Sequence, residues 1–235
     1  MNKERREILR KLIHKQRVGF NELWGNEGTS NLFAYHLKVL VEDGLVCKKD
    51  DMYCLTHDGK KFSTYVEGGD GKKAKAPLIC VVIVVYDKEK KKFLMCKRTK
   101  EPFYGYWGSI AGKIKFDQYI YEAAAAELME ETGLECDLEM KGLCSYKTYN
   151  DGELSYSHQL FVILGKNPRG ELIEKTREGE NHWVSKKDIA GLKAFPSALA
   201  PTEIAEGDGF RWIEMDRFQE ADEFVGKKVL RDKRF

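Results

Sequence analysis

The sequence predicts an α+β fold with a mixed sheet, preceded by a small domain made of helices and one hairpin. Three observations support this. Apolar residues up to position 67 recur mainly at helical spacing, with one short hairpin pattern. The segment EGGDGKKAKA (67–76) has no apolar periodicity and is typical of a flexible linker. The remaining segments follow the order strand, strand, loop, helix, three strands and helix. We therefore predict domains at 1–67 and 77–235, joined by a linker at 68–76.

Composition limits the class of protein. Of 235 residues, 42% are hydrophobic, which is enough apolar material for packed cores and excludes a chain that is disordered throughout. Charged residues amount to 33% but nearly cancel, leaving a net charge of +2. Residues 1–75 hold 15 Lys and Arg against 11 Asp and Glu, and the remainder holds 25 against 27. The N-terminal part is thus mildly basic, which is compatible with nucleic acid but far from a polybasic tail.

The six cysteines form no CxxC pair and have no accompanying histidine cluster, so no zinc site is expected. Cys80 and Cys96 stand inside apolar runs and are predicted to be small core residues. Cys47 and Cys54 flank the turn of the predicted hairpin, where we expect two neighbouring reduced thiols.

No targeting or membrane segment is visible in the sequence. The first residues, MNKERREILRK, are charged and lack the apolar stretch of a signal peptide. No apolar run approaches the ~20 residues that a spanning helix needs. These features predict a cytoplasmic protein without membrane partners.

The N-terminal domain is predicted from helical spacing and from residues that end helices. Ile8, Leu9, Leu12 and Ile13 form one apolar stripe of a first helix. The elements predicted after it are a short helix at 20–24, a third helix at 32–45 that ends near Gly44, a hairpin around Asp50 and Asp51, and a last helix capped by Thr56.

The stretch FAYHLKVLVEDGLVCKKDDMYCLTHDGKKF resembles the recognition helix, wing and following helix of winged helix-turn-helix regulators, a resemblance that covers about residues 1–67. In that family the third helix enters the major groove and the hairpin contacts the backbone of double-stranded DNA. Leu37, Leu40 and Val41 are predicted to lie in the core. Winged helices also serve as protein-interaction or dimerisation modules, so a homodimer is the alternative. The resemblance implies a DNA-binding face made of Ser30, Asn31, Tyr35, His36, Lys38, Lys48 and Lys49.

The C-terminal domain begins with two apolar strands, PLICVVIVVYD and KKFLMCKR, followed by a Gly-rich aromatic loop, FYGYWGSIAGKI. YIYEAAAAELMEETG is predicted to be a helix with Leu128 and Met129 inside and Gly133 at its end. Three strand-like segments follow, DLEMKGLCSYKTY, SHQLFVILGK and NHWVSKKDI. The final stretch from Phe210 is interpreted as a mixed strand and helix.

Glu127, Glu130 and Glu131 are spaced at i, i+3 and i+4 on this helix, which places three carboxylates side by side. Such crowding disfavours a helix, and residues 122–135 contain no Lys or Arg to offset it. Hard oxygen ligands suit Mg²⁺ or Mn²⁺, which we predict as the cofactor. The alternative is an ordinary solvated acidic face.

The surrounding segment, GKIKFDQYIYEAAAAELMEETGL (112–134), resembles the Nudix box, G-x5-E-x7-R-E-U-x-E-E-x-G-U with U apolar. The resemblance covers about residues 77–215 and implies an α/β/α sandwich with a mixed sheet. It also implies hydrolysis of a nucleoside diphosphate linked to another moiety. The matching positions are Gly112, Glu127, Leu128, Glu130, Glu131, Gly133 and Leu134.

Two positions depart from the box. Gln118 stands where the family has Glu, and Ala126 stands where it has the Arg that orients the helix glutamates. Gln118 can still donate or accept hydrogen bonds but brings no charge, and alanine provides no guanidinium. We therefore expect a metal site with reduced or altered catalysis. The alternative is a winged-helix transcription regulator whose Nudix domain senses a nucleotide metabolite with little turnover.

The resemblance also implies roles for individual residues. Glu130 and Glu131 would be metal ligands, together with the Ala111 carbonyl, and Glu127 a ligand that helps to activate water. A later acidic residue, Glu178 in preference to Glu180, would complete the catalytic set. Predicted substrate-binding residues are Arg98 for phosphate, with Lys100 beside it, Tyr104 and Trp107 for a base, and Gly112 and Gln118 in the box; packing is the alternative for Trp107.

Overall fold

The computed structural model describes residues 3–63, 66–67, 72–73 and 75–235. The chain divides into two compact units, Met1–Ala76 and Pro77–Phe235. Much of the predicted linker, residues 68–71 and 74, lies outside the described residues.

The N-terminal unit is built from short helices and a small antiparallel sheet in which Met52–Leu55 lies between Val18–Gly19 and Val46–Lys49. The last helix is capped as predicted, because the Gly59 N–H donates to Thr56 Oγ1 at 2.9 Å. Its described elements are α1 (Lys3–His14), β1 (Val18–Gly19), α2 (Phe20–Trp24), α3 (Ser30–Glu42), β2 (Val46–Lys49), β3 (Met52–Leu55), α4 (His57–Ser63) and the paired β4 (Val66–Glu67) and β5 (Lys72–Lys73).

The core of this unit forms between α1 and α3. Ile8, Leu9 and Leu12 pack with Leu37 and Leu40, which confirms three of the four residues of the predicted apolar stripe. The fourth, Ile13, is only partly buried. Val41 was predicted to lie with them but is 38% exposed. It lies about 100° around the helix from Leu40, and only one face of α3 meets the core.

The cysteines behave as small apolar residues or as neighbours. Cys80 and Cys96 are buried, as predicted. Cys47 and Cys54 are register partners across the β2-β3 hairpin, and their Sγ atoms are 2.8 Å apart. All six thiols are free.

The C-terminal unit contains one nine-stranded mixed sheet among the described residues. The elements are β6 (Leu78–Asp87), β7 (Lys92–Arg98), β8 (Trp107–Gly108), β9 (Ile110–Lys113), α5 (Ile120–Thr132), β10 (Leu134–Asn150), β11 (Glu153–Gly170), β12 (Gly179–Val184), α6 (Lys186–Ile189), α7 (Leu199–Glu206), β13 (Arg211–Glu220) and β14 (Glu223–Arg234). The main strand order is β12-β7-β6-β11-β10-β13-β14. The pairs β6-β11 and β10-β13 are parallel, and the other pairs are antiparallel.

Helices cover both faces of this sheet. Along β6, Val81 and Ile83 face α5 and pack with Leu128, while Val82 faces α7 and packs with Ile204. A central strand buried on both faces explains the continuous apolar run in its sequence. The predicted α+β class, with helices on both sides of a mixed sheet and a small helical and sheet region before it, is confirmed.

Three local predictions were wrong. Met129 is 43% exposed although it follows the buried Leu128, because only one face of α5 meets the sheet. The supposed loop before α5 contains β8 and β9, which pair with β7 and β6. The C-terminal stretch is entirely a hairpin of β13 and β14, since β13 finds a parallel partner in β10.

Across the part of the chain that the structure describes, no helix has the length and apolar character needed to cross a membrane.

Candidate active site

Hydrogen bonds at both ends define where helix α5, which carries the glutamates, begins and ends. The Tyr119 N–H donates to Glu122 Oε2 at 2.9 Å, so the first turn is capped by a side chain of the helix itself. At the other end, Gly133 adopts φ +69° and donates its N–H to the Met129 carbonyl at 2.9 Å. The helix therefore ends at Thr132, one residue after Glu131, and Glu131 is only 8% exposed.

Gly112 allows β9 to approach Glu127 on α5 closely. A Cβ atom at this position would lie 1.9 Å from Glu127 Cδ and 2.3 Å from Glu127 Oε1. Only a residue without a side chain leaves room for the carboxylate at this distance. The glycine that begins the box therefore has a direct steric reason in this chain.

The carboxylates perturb one another. Burial raises the pKa of Glu131 to about 8, and the charges of Glu127 and Glu178 add to the rise. Burial also raises the pKa of Glu127, and the charge of Glu130 adds to this rise. The positive charges of Lys115 and Lys100 act to lower the pKa. Mutual repulsion and low solvent exposure thus favour protonation of the two inner carboxyls.

Basic side chains from elsewhere in the sequence reach the two outer carboxylates. Arg177 forms an ion pair with Glu130, and Lys100 forms one with Glu178. Arg177 Nε also lies 3.7 Å from Glu178 Oε1. Within the described residues, neither Glu127 nor Glu131 has a lysine or arginine at ion-pair distance. Ion pairs therefore offset the charge of the two outer carboxylates only.

The donor chemistry of this cluster suits a hard divalent cation, because all four side chains offer carboxylate oxygens. The four carboxylates are not gathered around one point. Among the described residues, no three His, Cys, Asp or Glu side chains converge as a metal would require. Glu130 and Glu178 are turned towards Arg177 and Lys100 instead. A metal bound by these two residues would therefore compete with both ion pairs.

The two departures from the box have different surroundings. Gln118 Oε1 accepts a hydrogen bond from the Lys115 N–H at 3.2 Å, within the loop that precedes α5. Ala126 is exposed and one helical turn before Glu130. The guanidinium that contacts Glu130 therefore belongs to Arg177, a residue that sequence reasoning did not single out.

Other predicted site residues are placed variously. Arg98 Nε donates to the Pro102 carbonyl at 3.1 Å, and Tyr104 is exposed. Ala111 pairs in register with Val82. Trp107 packs against the core cluster on the α7 face of the sheet, with its ring centroid 5.3 Å from that of His182. Packing, the alternative interpretation for Trp107, is therefore what its position supports.

Asn181 is a second residue that the sequence did not indicate. It is buried, and its Nδ2 donates to the backbone carbonyls of Glu131 and Ile173 at 2.7 and 2.9 Å. This links β12 to the end of α5. An asparagine three residues after Glu178 was the only indication in the sequence, and a polar residue in a strand is too common to interpret.

In the N-terminal unit, most of the predicted DNA-binding residues are solvent-accessible, but His36 is only 6% exposed and packs on the inner face of α3. Its inclusion in that face was wrong, because it shares the buried side of the helix with Leu37 and Leu40. Lys38 lies 3.6 Å from Glu42, and Lys48 lies 2.8 Å from Asp51. The exposed predicted residues are Asn31, Tyr35, Lys38, Lys48 and Lys49, and Ser30 is partly exposed.

Comparison with solved structures finds similar folds at low sequence identity. The MutT protein from Bacillus halodurans is 20% identical with a TM-score of 0.54, and the match covers 65% of this chain and 97% of that protein. The NUDIX domain of Shewanella oneidensis NrtR, complexed with ADP ribose, is 21% identical with a TM-score of 0.48 over 61% and 95% of the two chains. The MutT protein from Methanosarcina mazei Go1 is 23% identical with a TM-score of 0.45 over 57% and 94%.

The sequence profile of the NUDIX domain matches residues 76–204, which is more than half of the 235 residues and includes α5, Gly112 and Glu178. The chain belongs to the NUDIX domain family.

Proposed function

We propose that this protein is a Mg²⁺- or Mn²⁺-dependent hydrolase that cleaves the pyrophosphate of a nucleoside diphosphate linked to another moiety. The observation that carries the proposal is the crowding of Glu127, Glu130, Glu131 and Glu178 around the end of α5. Two of these carboxyls have no cation partner among the described residues, so their oxygens can ligate a divalent ion, which would displace the proton that burial favours.

The residues of the cluster take separate roles in this proposal. Glu130, Glu131 and the carbonyl of Ala111 would hold the metal, with Glu127 as a further ligand. A divalent ion in this position would polarise phosphoryl oxygens and make nearby water more acidic. The raised pKa of Glu127 suits a group that accepts a proton at neutral pH. Glu178, the residue directly before β12, would complete the catalytic set.

The reaction balances as a hydrolysis. The oxygen of water forms a bond to one phosphorus, and the bond from that phosphorus to the bridging oxygen breaks. The proton lost by water goes to a carboxylate, and two phosphate-bearing products leave. Arg98 and Tyr104 remain predicted contacts for phosphate and base, and Gln118 and Gly112 contribute through the loop and strand that border α5.

The test is phosphate or nucleotide release from a panel of nucleoside triphosphates, dinucleoside polyphosphates and nucleotide sugars with Mg²⁺. Wild type should turn over at least one member. Glu131→Gln should lose more than about 100-fold, since even outer-shell partners of a metal cost about 10–100-fold. Glu135→Gln, an exposed carboxylate at the start of β10, is the matched control and should retain activity. Equal turnover by Glu131→Gln would contradict the proposal.

A second function concerns the N-terminal unit. Its order of three helices, a hairpin and a helix supports the proposed winged-helix domain at 1–67, and the division of the chain after Ala76 supports a separate domain from 77 onwards. We propose that Ser30, Asn31, Tyr35, Lys38, Lys48 and Lys49 form a DNA-binding face, which makes the chain a regulator that senses a nucleotide. A homodimer through this unit is the competing role.

Binding of labelled double-stranded DNA decides between these roles. A DNA-binding wing predicts affinity that falls as salt rises and that drops further in the Lys48→Ala/Lys49→Ala variant. Lys60→Ala/Lys61→Ala, on α4, is the matched control. Salt-insensitive or unchanged binding would contradict a DNA-binding face, and a concentration-dependent dimer in sedimentation would favour the competing role.

A further inference from the structure

Two exposed cations share the carboxylate cluster with the proposed metal. Lys100 follows β7 and pairs with Glu178, while Arg177 precedes β12 and pairs with Glu130. Arg177 Nε is also 3.7 Å from Glu178 Oε1, so the guanidinium lies between the two outer carboxylates. The side chains of Arg177 and Lys100 are 79% and 45% exposed. Such side chains can leave one partner for another at little cost in packing.

Charge balance connects these cations to a divalent ion. Lys100 and Arg177 together carry the charge of one Mg²⁺ or Mn²⁺. In the conformation described, no three carboxylates converge on one point, and the two outer ones are turned towards their basic partners. A divalent ion that draws Glu130 and Glu178 inward therefore weakens both ion pairs, because each carboxylate then shares its charge with the metal.

Released side chains would remain next to the site. The Thr99 N–H donates to the Glu178 carbonyl at 3.1 Å. This hydrogen bond joins the backbone next to Lys100 to the backbone next to Arg177. Arginine and lysine are the side chains that bind phosphate oxygens through charge-assisted hydrogen bonds. Because both side chains contact carboxylates of the cluster, they would lie within reach of a pyrophosphate bound there.

We propose that Arg177 and Lys100 are exchangeable counter-ions, which neutralise Glu130 and Glu178 without metal, release them when a divalent cation binds, and then bind the pyrophosphate of the substrate. This inference rests on the proposed function, since it uses the same metal site. It assigns substrate contacts to two side chains that pair with carboxylates of the same cluster.

The proposed exchange predicts that one substitution changes two affinities in opposite directions, the affinity for Mn²⁺ and the affinity for pyrophosphate. Arg177→Ala should bind Mn²⁺ roughly three- to tenfold more tightly, because a competing positive charge is gone. The same variant, loaded with Mg²⁺, should bind inorganic pyrophosphate about tenfold more weakly, because a charge-assisted contact is lost. Mn²⁺ binding is measured from the signal of the free ion in electron paramagnetic resonance, and pyrophosphate binding by calorimetry.

Two further variants control for charge and for fold. Arg177→Lys keeps the positive charge and should stay within about twofold of wild type for Mn²⁺. Arg169→Ala removes an exposed arginine that pairs with Asp137 at 3.0 Å and should change neither affinity. Lys100→Ala should shift both affinities in the same directions as Arg177→Ala.

The outcomes separate this inference from the proposed function. Weaker or unchanged Mn²⁺ binding by Arg177→Ala overturns the exchange, even if wild type hydrolyses a nucleotide. Opposite shifts without turnover of any nucleotide support the exchange and overturn the hydrolase. Wild type that binds no Mn²⁺ overturns both.

Discussion

Helices α3 and α5 are each 13 residues long and each carries charged side chains, yet these charges are balanced differently. On α3, Lys38 lies 3.6 Å from Glu42 one turn away, a pairing that balances the face from within the helix. On α5, Glu127 and Glu131 have no such partner, and the cations nearby come from distant parts of the chain. A charged helix face alone therefore does not indicate a site; the difference lies in whether the helix supplies its own counter-charges.

A second contrast concerns one glycine in each unit. A Cβ atom at Gly59 would lie 2.0 Å from the backbone oxygen of Leu45, and one at Gly112 would lie 1.9 Å from the side chain of Glu127. The two contacts are equally close, but a backbone oxygen cannot rotate away and a glutamate side chain can. The first glycine is therefore required by the fold, and the second by the position of a carboxylate.

Of the substitutions Gly112→Ala and Gly59→Ala, Gly112→Ala should cause the larger loss of activity. Glu127 can rotate away from the new methyl group, so the protein should fold with little change in stability, but the carboxylate leaves the cluster. We expect turnover to fall on the order of 100-fold or more, the size of effect seen when a positioned catalytic group is misplaced. Steady-state kinetics with the substrate found in the nucleotide panel, together with a thermal melt, measures both quantities.

Gly226→Ala is the matched control, because a Cβ there has no atom within 4 Å and the change lies in β14. It should leave turnover unchanged. If Gly112→Ala keeps full activity, Glu127 does not need its place against β9, and the contrast between the two glycines disappears. A large loss of stability in Gly112→Ala would show that Gly112 acts like Gly59.

Gly59→Ala should destabilise the N-terminal unit by about 3 kcal/mol, near the upper end for an overpacked core position. The new methyl group forces α4 away from Leu45, whose carbonyl also accepts a hydrogen bond from the Thr56 N–H at 3.1 Å. Hydrogen exchange resolved by residue measures the loss, which should appear in α4 and the β2-β3 hairpin. An unchanged exchange profile in these elements would contradict the steric interpretation.

Sequence reasoning could identify the parts of this protein that depend on local spacing. The glutamates of α5, the cap at Thr56, the end of α5 at Gly133 and the buried strand β6 all follow from periodicity and from residues that end helices. Residues brought together by tertiary contacts were not predictable in this way. Nothing in the spacing of Arg177 indicates that it reaches Glu130, because 47 residues separate them.

The remaining errors have the same cause. His36 satisfies the period of the buried face of α3 and also resembles a residue of a DNA-binding helix, and only packing against the core decides between the two. The short strands β8 and β9 became strands because β7 and β6 offered free edges, which a Gly-rich aromatic sequence does not reveal. Burial and pairing with distant strands override local propensity in each case.

The response to pH distinguishes the paired charges of α3 from the carboxyls of α5 that have no cation partner among the described residues. Because the pKa of Glu131 is raised to about 8, its folded form prefers the proton. Its contribution to stability is present below the unfolded value of 4.5 and is lost as the pH rises to about 8. The metal-free protein should therefore lose stability between pH 5 and pH 8, and Glu131→Gln should lose less.

Metal binding should show the reverse dependence, because the ion requires the deprotonated carboxylate. Between pH 6 and pH 7 the affinity for Mg²⁺ should rise on the order of tenfold, and the rise should level off above about 8. Thermal unfolding with and without Mg²⁺ measures both trends in wild type and in Glu131→Gln. If the two proteins show the same pH dependence, Glu131 is not the group that titrates, and a proton on that carboxyl makes no contribution to the charge balance of the cluster.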